Sequence, residues 1–195
     1  EIDARTDLTD EEKIAAKKDA QVKADAAKQA IDNATTNDAV TQAKADGSTS
    51  VDSVNPTAQA KPAAKKEIDD ALKAKEAAID ANNDLTDEEK TAAKADAKAK
   101  ADAAKQAIDN ATTNDAVMQA KNDGLTSVDS VNPTAQAKPA AKKAIDDALK
   151  AKEAAIDANN DLTAEEKAKA KEDAKAKADA AKEAIDTAPT NAGVE

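Results

Sequence analysis

Along residues 93–111 the apolar residues Ala93, Ala97, Ala101, Ala104, Ile108 and Ala111 recur at steps of three and four, one stripe on an α-helix. The same stripe runs through Ala16, Ala20, Ala24, Ala27, Ile31 and Ala34. Thr86 with Glu89 three residues on predicts a capping box, in which hydroxyl and carboxylate satisfy N–H groups at the helix start. Asp87, Glu88 and Glu89 also suit the positive end of the helix dipole. The spacing therefore predicts a helix from Thr86 to Asn110. Thr112 to Asn114 reads as punctuation before a shorter helix, which Gly124 should stop in the left-handed conformation. Leu125, Val128 and Val131 continue an apolar face until Asn132-Pro133 ends it. A further helix opens near Pro139 and carries Ala141, Ile145, Ala148, Leu149, Ala155 and Ile156 on one face. It ends at Asn159-Asn160.

The pattern repeats. Asp84-Leu85-Thr86-Asp87-Glu88-Glu89-Lys90 echoes Asp7 to Lys13 and returns as Asp161 to Lys167, with Ala164 in place of the second aspartate. Ile31, Ile108 and Ile185 fall in register, as do Pro56 with Pro133 and Pro62 with Pro139. The period is about 77 residues, and the first two copies differ at only about ten positions. Two long helices and one shorter segment per period fold most simply up, down and up. The fold class expected is all-α: tandem three-helix bundles joined end to end into an elongated rod. The copies run over 3–79 and 80–156, with the first long helix of a third over 157–195. A frame shifted to 35–111 and 112–188 fits as well. Either Asn82-Asn83-Asp84 or Asn110 to Asn114 could be the turn inside a bundle, leaving the other as the joint. An isolated copy should be marginal, so neighbours should stabilise one another through that joint.

Composition narrows the function. The 195 residues include no Phe, Tyr, Trp, Cys or His, so there is no aromatic anchor, disulfide or thiol nucleophile. Most of the apolar 40% is alanine, and an alanine seam lets helices approach to the short end of the usual range. A net charge of −11 argues against nucleic acid and anionic membranes. No apolar run reaches the ~20 residues of a membrane span. Starting at Glu1 without an initiator Met, the chain reads as an internal fragment.

Candidate chemistry is sparse. Asp69 with Lys73 and Glu76, and Asp102 with Lys105, read as solvated helix-face pairs, not acid–base machinery. Asp80, Asn82 and Asp84, followed by Asp87, Glu88 and Glu89, match the first ligands of a calcium loop. Leu85 stands where that loop needs glycine, however, and Thr91 where it needs glutamate. The plainer reading is a polar turn feeding an N-cap. Asn33-Ala34-Thr35 and Asn110-Ala111-Thr112 match an N-glycosylation acceptor but sit at expected helix ends. Met118 should fill space on or near the shorter helix. Ile14, Val22 and Met118 are the large apolar residues left unassigned. No catalytic, cofactor-binding or metal residue is assigned, and no cofactor or enzymatic activity is expected.

The set Asp-Leu-Thr-Asp-Glu-Glu-Lys, Ala-Ile-Asp-Asn-Ala-Thr-Thr-Asn and Lys-Ala-Ile-Asp-Asp-Ala-Leu resembles a helical repeat of unknown function. That repeat occurs in long cell-wall-anchored surface proteins of Gram-positive bacteria, the SasC, FmtB and Ebh type. The resemblance spans essentially the whole chain. It implies an extracellular, wall-attached setting, with the repeats as a stalk below an adhesive region. Related three-helix modules bind host albumin or fibronectin, but no residue set here carries that property over. The expectation is a monomeric spacer whose partners are the neighbouring repeats. The alternatives are a module binding a host protein or another copy on a neighbouring cell, and a disordered desiccation-type protein.

Overall fold

A computed structural model describes residues 1–195. The protein is all-α, a tandem series of helical bundles without strands. After a short 3-10 turn at Ile2–Ala4 come α1 (Asp10–Asp32), α2 (Asn37–Asp52), α3 (Ala60–Asp80) and α4 (Asp87–Asn110). Then follow α5 (Asn114–Asp129), α6 (Ala137–Ala158), α7 (Ala164–Thr187) and a single turn, α8 (Asn191–Val194). Extended segments join α2 to α3 and α5 to α6. Residues 1–72 with 100–128 form one compact unit, and residues 73–99 with 129–195 form a second.

In the first unit α1 lies along α2. The core there is built by α3, α4 and α5 together: Ala64 and Ile68 meet Ala101, Ala104, Ile108 and Ala111, and Val117 and Val128 close it. The predicted alanine stripe is thus the buried face of α4, and Ala97, Ala101 and Ile108 have no exposed surface at all. In the second unit α6 lies along α7, and Ile185, Ala188 and Val194 form a cluster that Ala137, Ala141 and Ile145 pack against.

Helix starts follow the caps. Thr9 and Thr163 each complete a reciprocal box, with Glu12 and Glu166 respectively. The same bonds hold at Thr86, whose N–H donates to Glu89 at 3.0 Å. Thr36, Thr113 and Thr190 cap the helices that follow them, accepting from Ala39, Ala116 and Gly193.

Three expectations need correction. Gly124 does not stop a helix: α5 runs through it, and no glycine has a positive φ. It is buried because α4 crosses there. A Cβ on Gly124 would overlap the Cβ of Ala104 and lie 2.8 Å from Ile68 Cδ1. Ala155 faces solvent, while Ile156 is buried and Ile145, Ala148 and Leu149 line the groove against α7. Met118 fills no gap: it is 56% exposed, as are Ile14 (65%) and Val22 (60%).

Inside an exposed helix, Gly→Ala raises stability by up to about 1 kcal/mol. At Gly124 the sign should reverse. Gly124→Ala should lower stability by about 1–3 kcal/mol, because the added methyl overpacks the α4–α5 contact. Urea unfolding followed by helicity tests this, and a stabilised variant would refute the close-approach account.

Candidate functional site

The most elaborate polar structure in the chain gathers around the start of α1, and again around the start of α4. The capping-box glutamate there serves two helices. One oxygen of Glu12 accepts from its own Thr9 N–H at 2.9 Å. The other accepts from Gln59 N–H at 2.9 Å and Ala60 N–H at 3.0 Å, the first donors of α3. Helix α3 has no Ser, Thr, Asp or Asn at its start, so its orphan N–H groups depend on this borrowed carboxylate. Burial alone would raise the Glu12 carboxyl, but the N–H groups of Thr9, Ala60 and Gln59 outweigh it and hold the group below its ordinary value.

The neighbouring residues tie in the α4–α5 turn. Glu11 accepts from Asn114 N–H at 3.0 Å, capping α5 from outside. Asp10 N–H donates to Thr112 O at 2.7 Å. The Thr9 hydroxyl, fully buried, donates to Asn114 Oδ1 at 2.8 Å. From α3, the buried ammonium of Lys61 donates to Thr6 O at 2.9 Å and to Asp109 O at 2.8 Å, near the end of α4. Leu8, 1% exposed, sits beside this network.

The second unit repeats every one of these bonds 77 residues on, as successive numbers confirm. Glu89 caps Thr86, Gln136 and Ala137; Glu88 accepts from Asn191; Thr86 donates to Asn191 at 2.6 Å. Asp87 N–H meets Pro189 O at 2.7 Å, and Lys138 reaches Asn83 O and Asp186 O at 2.8 Å each. Where the copies differ, at Thr6 against Asn83 and Thr112 against Pro189, the joint uses only backbone oxygens. Glu89, like Glu12, is pushed up by burial and more than offset by the N–H groups of Thr86, Ala137 and Gln136.

The other candidate residues are engaged separately. Asp80 pairs with Lys94 at 2.7 Å, and Asn82 Oδ1 takes the Asp84 N–H at 3.0 Å. With Glu88 and Glu89 spent on capping, the calcium-loop candidates are not brought together, and no group of three carboxylates is placed to hold a metal. Asp69 turns from Lys73 to Lys105 across the α3–α4 contact at 2.9 Å, where Asp102 also lies at 3.3 Å. Asn110 and Asn33 sit at the ends of α4 and α1. Sequence reasoning found the capping box but missed Lys61, Lys138 and the second role of Glu12 and Glu89. The available signal was the absence of any cap before α3 and α6.

A family model matches the chain three times in succession, over residues 1–59, 60–136 and 137–195, and its description is Domain of Unknown Function (DUF1542). The chain belongs to the DUF1542 family. The middle match takes in α3, α4 and α5, the helices that share one core. Among curated proteins the chain is 34% identical over 190 residues to the extracellular matrix-binding protein ebh of Staphylococcus aureus strain MRSA252, covering 97% of the chain and 2% of that protein. It is 33% identical over 169 residues to EbhA of strain Newman, covering 86% of the chain and 5% of that protein. The DUF1542 chain is therefore a very small part of the length of these relatives. No solved structure matches it.

The two lysines beside each joint should separate by substitution. Lys138→Met strands the carbonyls of Asn83 and Asp186 and should destabilise the second unit by about 1–3 kcal/mol. Lys142→Met breaks only the exposed pair with Asp186 and should change little. Equal effects in urea unfolding would show that the buried ammonium has no special part.

Proposed function

We propose that this DUF1542 chain is a non-catalytic spacer of a bacterial surface protein, in which each repeat is a three-helix bundle framed as α3, α4 and α5 and coupled to its neighbours through the joint. One observation carries the reading: the same set of cross-caps is built twice, atom for atom, 77 residues apart. A joint that recurs with identical partners adds the same increment each time, which suits a column extended by copy number. That the relatives are extracellular matrix-binding proteins supports an extracellular surface setting. Attachment to a cell wall, with the column holding an adhesive region away from it, is the fuller form of this proposal.

The copies' outward faces favour spacing over binding by each repeat. Ile14, Lys18, Gln21 and Val22 form one exposed side of α1, and α4 carries Thr91, Ala95, Lys98 and Ala99 there. A partner reading every copy alike would need a common surface, and this side offers none. The matrix-binding role of the relatives keeps a second reading open, in which some other face of each repeat engages a matrix protein. That reading requires avidity: retention on a matrix-coated surface should climb steeply from one repeat to three.

The spacer reading predicts a linear ruler. Helix α4, with 24 residues, is about 36 Å long at 1.5 Å per residue. Small-angle scattering from one, two and three repeats should show the maximum dimension rising by roughly 35–45 Å per repeat. Growth that falls off with each added copy, as for a compact or slack chain, would overturn it.

A further inference from the structure

We propose that each joint is an acid-releasable latch: neutralising the paired glutamates, Glu11 with Glu12 and Glu88 with Glu89, uncouples neighbouring bundles while the bundles stay helical. The proposal rests on the coupled-spacer reading and adds a condition under which the coupling is lost.

Titratable acceptors sit in the joint and not in the core. The core of α3, α4 and α5 is made of alanine, isoleucine and valine, with no titratable group among its buried members. The joint, in contrast, adds charged carboxylate acceptors to the Lys61 and Thr9 hydrogen bonds and the buried Leu8. Glu12 takes three backbone N–H groups from two helices, and Glu11 takes one from a third. Hydrogen bonds to a charged acceptor are roughly twice as strong as neutral ones, so protonation weakens all four at once. It also removes negative charge from the starts of α1, α3 and α5, where the helix dipoles favour it.

The sign follows from the Glu12 carboxyl, which the joint holds below its ordinary value. Such a group stabilises the coupled state above its ordinary pKa and ceases to do so as pH falls through the lowered one. Other charged groups face the joint from every element packed there. Arg5 and Asp7 precede α1, Asp10 and Lys13 lie in its first turn, and Lys61 and Lys65 come from α3. Asp109 stands near the end of α4 and Asp115 in the first turn of α5. Arg5 pairs with Asp7 at 2.6 Å, and Lys65 with Asp109 at 2.7 Å. Lys138, Lys142 and Asp186 repeat that arrangement at the second joint.

The test uses the whole chain, which has no cysteine of its own. Spin labels at Ala45→Cys on α2 and Asn122→Cys on α5, both exposed, straddle the first joint. Pulsed electron–electron distances and circular dichroism are then followed from pH 7 downward. The distance distribution should be narrow at pH 7 and broaden about twofold between roughly pH 5 and pH 3, the range in which glutamate titrates, while helicity holds. The Glu11→Gln, Glu12→Gln double variant should be broad already at pH 7 with unchanged helicity. A distribution that stays narrow in acid, or broadens only as helicity falls, overturns the latch and leaves the spacer reading standing. One already broad in the unmodified chain at pH 7 overturns the coupling itself, and the latch with it.

Discussion

Every helix begins with N–H groups that have no partner inside it, and these must be satisfied if the end is covered. At each joint the starts of α1, α3 and α5, or of α4, α6 and α8, come together, so many such donors converge in one place. The chain resolves this by exchanging caps. Glu12 serves α1 and α3, Glu11 serves α5, and Lys61 takes up carbonyls before α1 and near the end of α4. No helix start at the joint is complete without residues from its neighbours. In the proposed spacer, backbone satisfaction is what couples neighbouring repeats.

That economy fits the rest of the molecule, which has little apolar bulk to spend. With no aromatic residue, close approach replaces size: Gly124 lets α5 lie against Ala104 and Ile68, and Gly47 lets α2 lie against Ala27. Burial then depends strongly on how many helices share a core. Ala101 and Ile108 are fully buried where α3, α4 and α5 meet, whereas Ala24 and Ile31, the same positions on α1, are only half-buried beside α2. Thr9 and Thr86 are inaccessible within their joints, while Thr163 is exposed and turns its hydroxyl to Glu166. The same residues thus acquire different environments from their neighbours alone.

Much of the fold was legible in the sequence, because its signals are local. The Ala93 to Ala111 stripe, the Thr86–Glu89 box and the Asn132-Pro133 break each lie within a few turns of chain. Gly124 was misread because the same residue serves a helix stop and a close crossing, and Ala104, which distinguishes them, lies on another helix. Ala155 was misplaced for a related reason: alanine on a long helix is apolar on every side, so Ile156 marks the buried face and its neighbour does not. The joint was the least legible part. Thr9 meets Asn114 and Thr86 meets Asn191 at a separation of 105 residues, which no local pattern encodes.

The substitutions between copies then take on a physical meaning. Between the first two periods nearly all changes fall at exposed positions, among them Ile14 to Thr91, Lys18 to Ala95, Val22 to Ala99 and Thr41 to Met118. Ser48 to Leu125 is an exception, and Leu125 packs on the core that α3 completes. At the joints Thr6 and Asn83 differ but lend only their carbonyls, and Arg5 and Asn82 differ beside them. The constraint on a repeat is therefore to cap and be capped by its neighbour, and its solvent face is free to drift. A chain built on that rule can lengthen by duplication without designing a new contact, because each added copy brings both halves of the joint it needs.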